Sequence, residues 1–195
     1  IVHDLNNPLA VVSGEAQLLG MELKDMLTQE QQKAFRRVTY GVGEIKSMVE
    51  NLLDISLMEE NRLIVKKKEV DPGVIVEKTV NLMNYVAETE GKSVIAVVES
   101  ALPAISADEE IVVRIISNLI RNALKFSAEH SRVEVRAVFD KDKREFVFSV
   151  KDNGIGIPQE YLGKIFDKYV RVDNERTKAV PGKGLGLTFC KMAVE

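Results

Sequence analysis

Val2, Leu5, Leu9, Val12, Ala16, Leu19, Leu23 and Met26 are spaced by three and four residues in alternation. After a polar break at Thr28 to Gln32 the pattern resumes at Phe35, Val38, Val42, Ile45, Val49 and Leu52. No other feature limits the fold so tightly. Such a seam is the a/d repeat of coiled-coil-like helices. Two of them joined by a short turn make an antiparallel hairpin. One hairpin cannot bury both seams, whereas two paired hairpins form a four-helix bundle, so a homodimer is expected. The alternative is a solitary hairpin packed on the rest of the chain.

The character changes near residue 63. Leu63 to Val70 reads as a strand, Asp71-Pro72-Gly73 as a break, and Val74 to Glu88 as a helix. Val94 to Val98 is a β-branched run suited to a strand. Asp108 is placed to cap a helix reaching about Ser127, with Glu109 and Glu110 in its first turn. Arg132 to Asp140 and Glu145 to Lys151 alternate as two strands around a charged turn. Glycine-rich segments at 152–157 and 182–186 precede a helix from about Leu185. The expectation is two domains with a hinge near Glu59 to Arg62: an all-α hairpin at 1–61 and an α+β sandwich at 62–195, its sheet covered on one face by helices. The apolar repeat is already running at Ile1 and a helix is still running at Glu195, so the chain is expected to be part of a longer protein.

Composition excludes several classes. A net charge of −3 gives no general attraction to nucleic acid or to an anionic membrane, so neither is expected as a partner. No stretch approaches the apolar length needed to cross a bilayer. With one cysteine the chain cannot assemble an internal disulfide framework or a cysteine metal cluster, with two histidines a histidine-rich metal site is not expected, and a reducing, cytosolic setting fits.

Four short motifs carry chemistry. In His3-Asp4-Leu5-Asn6-Asn7-Pro8-Leu9, Leu5 and Leu9 belong to the seam, which turns His3 toward solvent. A neutral imidazole is a competent nucleophile at neutral pH, and Asp4 can hold Nδ1–H so that the Nε2 lone pair attacks. Asn7 lies one turn on, on the same face. Pro8 in mid-helix removes a hydrogen bond and is expected to bend the helix there. An exposed helical histidine in a polar cluster is the plainer alternative. Asn118, Asn122 and Lys125 fall on one helical face. An amide oxygen can ligate Mg²⁺ and a lysine can pair with phosphate; a solvated polar face is the competing reading. Asp152-Asn153-Gly154-Ile155-Gly156-Ile157-Pro158 follows a strand. It reads either as a turn or as backbone that approaches a flat ligand, with a carboxylate to accept from an exocyclic amine. Gly182-Lys183-Gly184-Leu185-Gly186-Leu187 opens a helix, a site suited to phosphate. It is neither a P-loop, since Gly184 follows the lysine, nor a dinucleotide fingerprint, since Leu187 takes the third glycine position. The charged segment from Lys168 to Pro181 reads as a lid.

Taken in order, these motifs resemble the histidine kinases of two-component signalling whose phosphoacceptor lies on a dimeric helical hairpin. His3 to Leu9 resembles the H box, Asn118 to Ser127 the N box, Asp152 to Pro158 the first glycine box, Ile165-Phe166-Asp167-Lys168-Tyr169 the F box, and Gly182 to Leu187 the second glycine box. The resemblance covers nearly the whole chain. It implies ATP and Mg²⁺ as cofactors and a response regulator receiver domain as partner. It also implies a cytoplasmic setting, either for a soluble protein or for the cytoplasmic portion of a membrane-bound sensor. His3 would accept the phosphoryl group, Asp4 would be its base, and Asn7 would serve dephosphorylation of the partner. Asn122 would ligate Mg²⁺, and Asn118 and Lys125 would contact phosphates. Asp152 would bind the adenine amine beside Gly154, Gly156 and Ile157. Phe166 and Tyr169 would anchor the lid, and Gly182, Lys183, Gly184, Leu185 and Gly186 would line the phosphates. The implied fold is the ATP-binding sandwich shared with chaperone, gyrase and mismatch-repair ATPases, here without the family's last strands. Those ATPases lack a hairpin with an exposed His-Asp, which separates them from this chain. Two positions depart from the pattern: Lys183 stands where Thr or Ser is usual, and Asp4 where Glu is commoner.

Overall fold

The computed structural model describes residues 2–23, 26–172 and 182–195, without the side chains of residues 2–6, 17, 21, 33, 36, 40 and 44. The chain divides into two compact units, 1–63 and 64–195.

In the first unit, α1 (Val2–Glu22) and α2 (Gln29–Glu59) pack on each other. The helix α1 continues through Pro8. Thr28 starts α2 with a capping box: its hydroxyl accepts from Gln31 N at 3.3 Å, and the Gln31 side chain accepts from Thr28 N at 2.9 Å. Near this turn Gly20 leaves room for the Phe35 ring, whose edge would lie 2.7 Å from a Cβ there. Ala16 and Ile55 are buried. Val12, Leu19, Val38, Ile45 and Leu52 of the seam are all more than 40% exposed in the single chain.

In the second unit, β1 (Lys68–Val70) pairs antiparallel with β3 (Ile105–Ala107), and β2 (Ser93–Val98) runs parallel to β4 (Arg132–Asp140), which is antiparallel to β5 (Glu145–Lys151). The strand expected from Leu63 forms only at Lys68, because β3 offers a three-residue partner and none of the described residues pairs with 63–67 in the sheet. β3 itself, in the sequence Ala101 to Asp108, is too short to show a period. Both ribbon strands run directly into helices capped by aspartate. Asp71 Oδ1 accepts from Gly73 N and Val74 N at the start of α3 (Pro72–Thr89), with Pro72 in the first turn, where its missing N–H costs nothing. Asp108 Oδ1 accepts from Glu110 N and Ile111 N at the start of α4 (Glu109–Phe126), and its Oδ2 accepts from Lys66 N at 2.8 Å.

The core lies between the two helices and one sheet face. Ile75, Val76, Val80, Met83 and Ala87 of α3 meet Ile116, Ile120, Ala123 and Leu124 of α4 over Val94, Val133, Val135 and Ala137. Each larger side chain contributes about 1.5–3 kcal/mol on burial. That payload fixes how α4 is rotated. Ile116 and Ile120 point at the sheet, and residues two further on lie about 200° round the helix. Asn118 and Asn122 are thereby turned to the opposite side.

Candidate functional site

The outward face of α4 is where two loops converge. Asn118, Asn122 and Lys125 are half-buried along it. Gly186, the first residue of α5 (Gly186–Val194), lies against Asn118, whose Oδ1 would be 3.5 Å from a Cβ at that position. Gly182 lies against the Lys125 ammonium, which also sits 5.1 Å from the centre of the Phe126 ring. Gly154 lies against the carbonyl of Phe126, and Ile155 N donates to that oxygen at 3.2 Å. A side chain at 182, 186 or 154 would fill the space beside these groups. The two glycine loops, remote in sequence, are therefore placed at the middle and the end of one helix.

The first loop is held as a tight turn: Asp152 Oδ1 accepts from Gly154 N at 2.7 Å. The turn reading of this motif therefore holds; the carboxylate is also exposed, and its second oxygen is placed to accept from elsewhere. Gly156, in the left-handed region at φ 68°, and Ile157 are exposed beyond it. The second loop is fastened to the segment before it. Tyr169 N donates to Gly184 O at 3.0 Å, and a Cβ on Gly184 would lie 2.6 Å from Val170 O. Tyr169 adopts a positive φ of 64° and is 63% exposed, whereas Phe166 is 38% exposed. Lys183 is exposed and Leu185 is buried. Much of the expected lid, residues 173–181, lies outside the described residues.

On the hairpin, His3 and Asp4 occupy the first turns of α1, and their side chains lie outside the described residues. Asn7 and Pro8 are exposed.

The helix α5 is locked to α4 by contacts with no counterpart among the sequence motifs. Phe189 is fully buried, and Arg114 of α4 stacks over its ring at 4.4 Å from the centroid. The Cys190 thiol donates to Ile115 O at 3.7 Å. Burial pushes this thiol up to about 12, against the opposing pull of a hydrogen bond from Asn118 and of the Arg114 charge. Between pH 9 and 12 the unfolded chain releases this proton and the folded chain keeps it, so stability falls as pH rises through that window. At pH 8 the native thiolate population is about a thousandfold below that of the unfolded chain. Native protein is expected to react slowly with a disulfide reagent and quickly once guanidinium is added. Rapid stoichiometric labelling of native Cys190 would contradict the burial.

Comparison with known proteins accounts for both units. Residues 1–61 match the model of the His Kinase A (phospho-acceptor) domain, and residues 107–195 match that of the histidine kinase-, DNA gyrase B- and HSP90-like ATPases. The chain belongs to the histidine kinase family. Among histidine kinase relatives, it is 27% identical over its full length to the sensor protein RprX of Bacteroides fragilis, 38% of which it covers. It is 30% identical over its full length to the sensor protein kinase WalK of Staphylococcus haemolyticus, 32% of which it covers. The chain thus spans about a third of the length of these relatives. The structure of full-length ShkA in complex with AMPPNP superposes with a TM-score of 0.71 and 28% identity, over 98% of this chain and 39% of that one. The Acinetobacter baumannii histidine kinase AdeS shares the fold at a TM-score of 0.61 and 20% identity, over 100% of this chain and 86% of that one. Helical hairpin and α+β domain are therefore those of a histidine kinase. No helix among the described residues is long and apolar enough to cross a membrane.

Proposed function

We propose that this chain is the catalytic core of a sensor histidine kinase. Residues 62–195 bind ATP with Mg²⁺, and the γ-phosphoryl group passes to His3 in the dimerisation and phosphotransfer domain, 1–61. From there it passes to an aspartate of a response regulator receiver domain. The observation that carries this reading is the meeting of Gly154, Gly182 and Gly186 with Phe126, Lys125 and Asn118 on one helix face. Such a cradle admits an anionic nucleotide at the N-terminal end of α5. The AMPPNP held by full-length ShkA supports a nucleotide there.

Asp152 accepts the adenine amine, and Gly154, Gly156 and Ile157 lie beside the base. Lys125, Asn118, Lys183 and the backbone from Gly182 to Gly186 hold the phosphates. Phe166 and Tyr169 support the segment that covers them. The donor set suits Mg²⁺, which takes amide and phosphate oxygens and keeps its waters. Asn122 is its ligand, and the ion supplies neutralisation of phosphate charge. His3 attacks through Nε2 while Asp4, as base, accepts the Nδ1 proton. An N–P bond forms as the bond to ADP breaks. Asn7 orients water in the reverse task, hydrolysis of the phosphorylated partner. The exposed seam of Val12, Val38, Ile45 and Leu52 supports a homodimer through a four-helix bundle. ATP and a receiver domain as substrates place the reaction in the cytoplasm.

The test is incubation with γ-labelled ATP and Mg²⁺, comparing wild type with His3→Gln. Acid-labile, alkali-stable label is expected on wild type and none on the variant. Label that persists in His3→Gln moves the acceptor elsewhere; no label on wild type despite nucleotide binding makes the chain a scaffold.

A further inference from the structure

We infer that Lys92 is a positioning residue for the nucleotide site, acting through the last turn of α4. The inference rests on the proposed function, in particular on Asp152 as the adenine acceptor. Lys92 follows α3 and precedes β2, remote in sequence from every motif of the site. Its side chain is only 10% exposed, and its ammonium donates to Leu124 O at 2.6 Å and to Glu90 Oε2 at 2.9 Å. A lysine so deeply buried is uncommon unless its charge is matched, and here it is matched by a carboxylate and by the negative end of an 18-residue helix.

Leu124 lies immediately before Lys125 and two residues after Asn122. Three carbonyls of this turn are held from outside the helical ladder: Ser127 Oγ, from the helix cap, donates to Ala123 O at 2.6 Å, Lys92 to Leu124 O, and Ile155 N to Phe126 O. The third of these bonds ties the Asp152 loop to the helix. The turn therefore sets the register of the adenine side of the site, at Asp152, against the helix. Without Lys92, Leu124 O keeps, among the described residues, the long 3.4 Å bond from Ser127 N, and the turn that registers the Asp152 loop loosens.

ATP and GTP separate this role from a structural one. A loosened register costs the contact between Asp152 and the adenine amine, which guanine does not make. Binding of ATP and GTP to wild type, Lys92→Met and Lys92→Arg is measured by displacement of a fluorescent nucleotide, with a thermal melt of each protein. Lys92→Met is expected to weaken ATP about three- to tenfold and GTP less than about twofold, narrowing the preference for ATP. Lys92→Arg, which keeps cation and donors, is expected to restore it. Should Lys92→Met fail to fold, Lys92→Gln takes the same test. Equal weakening of both nucleotides, unchanged ATP binding, or an arginine variant no better than methionine overturns the inference while leaving the kinase reading intact. A wild type that shows no preference for ATP removes the reading of Asp152 and the inference together.

Discussion

Replacing Gly154 with alanine is expected to weaken ATP binding about tenfold or more while leaving the protein folded. The added Cβ would lie 2.6 Å from Phe126 O, 3.0 Å from its carbonyl carbon and 2.8 Å from Asp152 Oδ1. The first two neighbours are backbone and cannot swing aside. They sit in a helical turn already held at Ala123 O and Leu124 O. The loop must therefore yield, and it carries Asp152 with it, since that carboxylate accepts from the Gly154 N–H. Overpacking of this kind costs about 1–3 kcal/mol, and about 1.4 kcal/mol is tenfold in affinity. The effect falls on binding because the strain is confined to a partly exposed loop outside the core. Gly163→Ala is the control: its Cβ meets nothing within 4 Å. Calorimetric titration with ATP reads both variants. Equal affinities for Gly154→Ala and wild type would mean that this loop does not touch the nucleotide.

Phe189→Ala is expected to produce the largest loss of stability, about 3–5 kcal/mol, the range for deleting a buried aromatic side chain. The ring has no solvent exposure, and its loss also strips Arg114 of the surface it stacks on. Against a typical domain stability of about 5–15 kcal/mol this is a large share. The chain has two compact units, so a single melting curve mixes their transitions. Hydrogen exchange of the α4 and β4 amides reports the relevant unit. Those amides are expected to exchange faster by about two to three orders of magnitude or more, with Phe189→Leu intermediate. An unchanged exchange rate in Phe189→Ala would mean that α5 contributes little to the core. Loss of α5 also frees the loop from Gly182 to Gly186, so nucleotide binding should fall in step with stability.

The elements that local chemistry alone could specify were legible in the sequence. The Asp108 cap, the alternation in Arg132–Asp140 and Glu145–Lys151, and the helix after the second glycine motif all rest on neighbours within a turn or a strand. The Asn118, Asn122, Lys125 stripe was legible for the same reason, because a helix repeats every 3.6 residues wherever it sits. The pairing of β1 with β3 was not, since three-residue strands carry no period and depend on a partner more than thirty residues away. Nor was the role of Lys92. Its nearest sequence neighbours describe a turn, while the carbonyl it caps lies 32 residues on.

Sequence by itself determined which side chains we propose for the chemistry: the His3-Asp4 pair, two amides and a lysine on one helix face, and two glycine loops. Only the tertiary structure decided where the loops meet that face. Burial of Ile116 and Ile120 against the sheet sets the rotation of α4, and the stacking of Phe189 under Arg114 brings the second loop to it. Hydrophobic burial and long-range hydrogen bonds act between segments that no local pattern links, so their geometry exists only once the chain has closed on itself.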